Sequence, residues 1–108
     1  MAQKAFWLSY DLGLKGDYPG LYAWLDGLGA QECGDSVAYV KGDFADDLVA
    51  WLKREVKKHV KLSDQARMYV VYVKPDTAKP SGTFLFGKRK RSPWEGYAQG
   101  IHGITEDQ

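Results

Sequence analysis

The chain holds one cysteine, Cys33, and two histidines, His59 and His102. A lone cysteine closes no internal disulfide, so the default setting is a reducing, cytoplasmic one. With so few cysteines and histidines, no zinc-ligand spacing exists. Long apolar runs are missing too. Nothing approaches the roughly 18 apolar residues that cross a bilayer, and no basic segment followed by an apolar stretch opens the chain. A soluble protein is expected, with no secretion signal and no membrane partner. Charge of one sign is equally scarce. A net charge of +1 excludes a globally basic nucleic-acid binder and leaves local patches to argue from. The loop Gly13-Leu14-Lys15-Gly16 lacks the Gly-Lys-Ser/Thr of a phosphate-binding P-loop. Ser9 has no His and Asp partners near it in sequence, which argues against a serine triad.

Apolar and aromatic residues are abundant. The 108 residues are 44% hydrophobic and include four Trp, seven Tyr and four Phe. That composition suits one globular domain, and the length suffices for a single core. The domain is expected over residues 1–97. Residues 98–108 are Gly-rich and polar and are expected to fray.

Hydrophobic spacing orders the elements. Ala5 to Tyr10 alternates as a strand, with Phe6, Leu8 and Tyr10 on one face and Trp7 and Ser9 on the other. A first helix opens at Asp17 as N-cap, with Pro19 in its first turn, and carries the stripe Leu21, Trp24, Leu25 and Leu28. Two short strands follow, Gln31 to Cys33 and Ser36 to Lys41, around a tight turn or bulge at Gly34-Asp35. A second helix is predicted from an N-cap at Asp43. Asp46 and Asp47 fall in its first turn, Phe44, Leu48, Trp51, Leu52, Glu55, Val56 and Val60 trace a mostly apolar face, and Lys53, Arg54, Lys57, Lys58 and His59 form a basic end that complements its dipole. Arg67 to Lys74 is strongly β-forming and reads as a central strand. Pro75 to Gly82 reads as a loop, Thr83 to Gly87 as a fifth strand, and Lys88-Arg89-Lys90-Arg91 follows it. The order is β-α-β-β-α-β, which predicts an α+β ferredoxin-like sandwich with an extra C-terminal strand. Trp24 and Trp51 are expected in the core or an interface, and Cys33 is expected to pack as a small apolar residue in or beside a strand.

Several short stretches carry a family resemblance. Ser9-Tyr10-Asp11-Leu12 at the end of strand one, Leu28-Gly29-Ala30 at the helix exit, Asp35-Ser36-Val37, and Met68-Tyr69-Val70-Val71-Tyr72-Val73 resemble the CRISPR-associated Cas-two family and its Cas-two-like toxin relatives, over about the first seventy-five residues. The resemblance implies a ferredoxin-like homodimer, in which a C-terminal strand often completes the partner's sheet. It also implies either a magnesium-dependent endonuclease, with Asp11 as catalytic residue and metal ligand at the dimer cleft, or a non-catalytic holder of nucleic acid. The chain departs from the family in lacking an arginine after Asp11, where only Lys15 could meet a phosphate, and in its tail bearing Lys88 to Arg91.

Two sites follow. Asp11 ends a strand as a metal ligand would, and Asp17 on the same loop could assist, because metal-dependent phosphoryl transfer usually needs two or more carboxylates. A two-fold dimer could supply the second by symmetry. The structural alternative is that Asp11 stops the strand and Asp17 caps the helix. The second site is Lys88, Arg89, Lys90 and Arg91 interleaved with Phe86, Trp94 and Tyr97, a pattern that can track a phosphate backbone while rings stack on bases. Its alternative is a charged edge that discourages aggregation. The functions left open are a Cas-two-like protein that binds, and as an endonuclease cuts, RNA or DNA, and a non-enzymatic interaction module that docks on a protein as a regulator or inhibitor in phage-host defence.

Overall fold

Alternation in the first strand decides which way the sheet faces. The computed structural model describes residues 4–44, 47–74 and 77–98. In it β1 (Lys4–Asp11) buries Phe6 and Leu8 completely while Trp7 and Ser9 point the other way. α1 (Tyr18–Gly27) begins as expected at Asp17, with Pro19 in its first turn, where a missing N–H costs nothing. β2 (Gln31–Glu32) and β3 (Val37–Gly42) form a hairpin, α2 (Leu48–His59) follows, and β4 (Arg67–Val73) and β5 (Pro80–Phe86) close the sheet.

The fold is α+β: five antiparallel strands in the order β2-β3-β1-β4-β5, with both helices packed on one side. β4 occupies an interior position, as its composition predicts. β5 pairs with β4 of its own chain, six register pairs long with a bulge opposite Met68 and Tyr69. The core lies between sheet and helices. It gathers Phe6 and Leu8 of β1, Ala38 and Val40 of β3, Met68 and Val70 of β4 and Leu85 of β5 against Leu21, Trp24, Leu25, Leu48, Leu52 and Val56. Each large side chain fully withdrawn from water here contributes about 1.5–3 kcal/mol. Among the described residues no polar or charged side chain is buried.

Three expectations need correction. α2 is capped by Asp47, whose side chain accepts from Ala50 N at 3.1 Å, and not by Asp43. The sheet holds the chain as far as Gly42, which pairs with Lys4, so the following residues must first cross to the helix layer. Capping at Asp47 also sets Leu48, Leu52 and Val56 in one stripe. β5 begins at Pro80, three residues before the predicted Thr83. A proline without an N–H is tolerated as the first residue of an edge strand. Cys33 stands beside β2 but is exposed rather than packed. Trp24 is in the core and Trp51 is half-buried against Phe44, their ring centroids 4.9 Å apart. Asp46, Pro75, His102 and all of the expected tail but Ala98 lie outside the described residues. No helix among the described residues is long and apolar enough to cross a membrane.

Candidate nucleic-acid interface

The face of the sheet opposite the helices is rich in rings. Neighbouring strands bring Trp7 opposite Tyr39 and Val71, Ser9 opposite Val37 and Tyr69, Asp11 opposite Arg67, and Tyr69 opposite Phe84. Trp7 and Tyr39 pack with centroids 5.0 Å apart, and Tyr69 and Phe84 meet edge to face at 4.8 Å. Trp7 remains 40% exposed. An antiparallel sheet with one solvated face is usually polar there. This one presents aromatic surface.

Two glycines shape its end. Gly82 lies across from Val71 on β5, and a Cβ at that position would stand 2.8 Å from Tyr69 Cε2 and Cζ. Only a glycine lets the Tyr69 ring lie across the edge strand. Gly87, at φ +77°, then turns the chain, and a Cβ there would come within 2.7 Å of Arg67 Cγ and 2.9 Å of the Ala66 carbonyl. The basic segment therefore folds back over the open face. The Arg89 guanidinium carbon sits 5.8 Å from the Tyr69 ring centre and 5.5 Å from that of Phe84, within cation–π range. Beyond it a turn is closed by Glu95 N donating to Ser92 O and Tyr97 N donating to Trp94 O, both at 3.0 Å, with Arg91 paired to Glu95 at 3.4 Å. That turn leaves Trp94 72% exposed.

Two adjoining cavities result. The first, about 400 Å³, is lined by Asp11, Arg67, Tyr69, Phe84, Arg89 and Trp94, among others. The second, about 420 Å³, is lined by Asp64, Gln65, Lys88 and Lys90 and shares Arg67 and Arg89 with the first. Both are in the size range of small-ligand sites, about 300–1,000 Å³. No carboxylate among the described residues forms an ion pair with Lys88 or Lys90. The sequence-predicted residues Asp11, Arg89 and Trp94 thus converge on one cavity, and Lys88 and Lys90 on its neighbour. Arg91 is engaged by Glu95. Lys15 is exposed on the loop after Asp11 and lines neither cavity.

No family model, curated protein or solved structure matches the chain. The chemistry therefore has to be read from the side chains.

Asp11 is oriented from two sides. Gly13 N donates to its Oδ1 at 3.1 Å, and Arg67 Nη2 lies 3.8 Å from its Oδ2. The carboxylate is 59% exposed and the guanidinium 30%, so the pair adds little stability. At 3.8 Å it is an ion pair without a hydrogen bond, and each group keeps hydrogen-bonding capacity toward a ligand. Arg67 Nε is enclosed and has no hydrogen-bond partner among the described residues. Asp17 does not join this site. Its Oδ2 accepts from Lys61 N at 2.9 Å and its Oδ1 from Gly20 N at 3.0 Å, tying α1 to the segment after α2. Those two N–H groups, Lys61 first, hold its pKa below the ordinary 3.8. Among the described residues no three His, Cys, Asp or Glu side chains cluster as metal ligands. Among the described residues Asp11 is the one carboxylate lining this cavity, and it faces a guanidinium that competes with any cation. That donor set, one carboxylate beside a guanidinium, is a poor fit for a magnesium ion, which is usually held by more than one oxygen ligand from the protein or substrate.

Two features of the site escaped the sequence reading. Of the three rings expected to stack, Phe86, Trp94 and Tyr97, Trp94 lines the cavity, whereas Phe86 packs against the core and Phe84 takes the open face. The bulge at Met68/Tyr69 resets the β4–β5 register there. Arg67 and Tyr69 fall on the open face with Ser9 and Asp11, and the alternation of β4 carries that signal once β1 is placed beside it.

Proposed function

We propose that this chain is a Cas-two-like nucleic-acid-binding protein, a ferredoxin-like, cytoplasmic homodimer that takes a single strand of RNA or DNA on the open face of its sheet. The observation that carries this reading is the convergence of Arg89, Tyr69, Phe84 and Trp94 on one cavity, with Lys88 and Lys90 on the next. Rings exposed on an antiparallel sheet stack bases, and cations beside them follow the phosphates. The β-α-β-β-α-β order supports the ferredoxin-like part, with β5 added outside β4. Cleavage with magnesium would draw on Asp11 from both copies, since Asp11 is the one carboxylate lining the cavity among the described residues. A second reading, a non-enzymatic module that docks on a protein, is favoured by the exposed Trp7 alone.

The test is fluorescence anisotropy of a labelled single-stranded oligonucleotide across a salt series, with magnesium or manganese present or absent. Changing Lys88, Arg89, Lys90 and Arg91 together to Ser should weaken binding by roughly tenfold or more. The salt slope should fall by about 0.7 per lost phosphate contact. No complex at low salt would overturn nucleic-acid binding and leave the docking module. If the wild type cuts the strand and Asp11→Ala does not, the chain is an endonuclease; an intact strand under both metals makes it a binder only.

A further inference from the structure

Each of the two cavities holds one carboxylate, Asp11 or Asp64, and they share Arg67 and Arg89; the second adds Lys88 and Lys90, whereas the first adds Tyr69, Phe84 and Trp94. That difference divides one nucleotide's work: phosphate beside the lysines, base beside the rings and Asp11. Asp11 and Arg67 are paired residues on neighbouring strands. Side by side they offer two acceptor oxygens and then a guanidinium donor.

We propose that this pair reads guanine. This rests on the single-strand binding argued above and adds base preference to it. The Watson–Crick edge of guanine runs N2–H, N1–H, O6: two donors, then an acceptor. That is the complement of carboxylate plus guanidinium. Adenine and cytosine each set one exocyclic donor beside an acceptor nitrogen, and uracil sets one N–H between two carbonyls. None of these can meet both carboxylate oxygens. Gly13 N holds Oδ1 in place at 3.1 Å, while the 3.8 Å gap to Arg67 leaves the guanidinium free to donate to O6. Trp94 provides exposed ring surface for the same base, and the Arg89 guanidinium, lying over the half-buried Tyr69 and Phe84, offers a planar face for it to stack on.

The experiment compares four heptanucleotides: an all-uridine strand and the same strand with guanosine, inosine or adenosine at its centre. Inosine keeps N1–H and O6 but lacks the N2 amino group. The wild type should bind the guanosine strand roughly tenfold tighter than the adenosine strand, the scale of one good bidentate contact, with inosine between them. In Asp11→Asn, checked for folding by its melting curve, the guanosine-to-adenosine ratio should fall to near one whatever the change in overall affinity. Equal wild-type affinity for all four strands would overturn the guanine proposal and leave strand binding standing. No binding to any strand would overturn both. Guanosine monophosphate competing as well as the guanosine strand does would reassign the pocket to a free nucleotide and overturn the strand version.

Discussion

The two faces of this sheet are made by the same strands and do opposite things. On the helix side Phe6, Leu8, Val40, Met68 and Val70 are fully buried. On the other side Trp7, Tyr39, Tyr69 and Phe84 stand on the same backbones one residue out of phase, and none of them is fully buried. The helix side holds all of the described core; the open side holds the ion pair, the rings and the Asp11 cavity, with the second cavity beside it where β4 begins and β5 ends. Because a strand alternates with period two, stability and recognition can be changed independently by substituting adjacent residues.

The sharpest break of this comparison is Phe6 against Trp7. Phe6→Ala removes a ring from the centre of the core and should cost about 3–5 kcal/mol. Trp7→Ala removes a ring 40% exposed and touching Tyr39, and should cost about 1 kcal/mol. Urea unfolding at several protein concentrations checks both. A Trp7→Ala cost that equals the Phe6→Ala cost and grows with protein concentration would mean the open face is covered by a second copy.

A smaller effect is expected from Gly82→Val. The new side chain must push the Tyr69 ring off β5, since even a Cβ would be 2.8 Å from the ring. Strand binding should weaken by roughly tenfold, the size of one lost base stack, while the helix-side core is untouched. Restoring space with Tyr69→Ala should relieve the fold without restoring binding. If Gly82→Val binds as well as the wild type, Tyr69 is not part of the platform.

Much of this architecture was legible because each face carries its own signal. Apolar alternation located β1, β-forming composition located β4, and the Asp17-Pro19 pair located α1, because these cues are local. The start of α2 was misplaced because the chain offers aspartates at both 43 and 47, and the choice depends on how far the sheet holds Gly42. The site was half legible. Asp11, Lys88 to Arg91 and Trp94 stand out by charge and type. Arg67, Tyr69 and Phe84 join them through cross-strand register and a bulge, which are non-local. Phe86 and Phe84 cannot be told apart until the bulge sets the register.

The same contrast separates the two aspartates flanking the loop after β1, and gives the mildest test. Asp11 is exposed on the open face, whereas Asp17 ties α1 to Lys61 on the helix side through two backbone N–H donors. Those donors favour the ionised form, which holds the pKa of Asp17 below 3.8. A carboxyl whose pKa is depressed by folding stabilises the native state fully above its unfolded value. It loses that contribution as pH falls through the folded value. Asp17→Asn should therefore be less stable than the wild type near neutral pH, and the gap should close in acid, below the ordinary 3.8. Strand binding by the variant should match the wild type, because Asp17 lines neither cavity. Urea midpoints from about pH 7 down to about pH 2 would measure the gap. A gap that stays constant with pH would mean that Asp17 acts through packing and not through its charge.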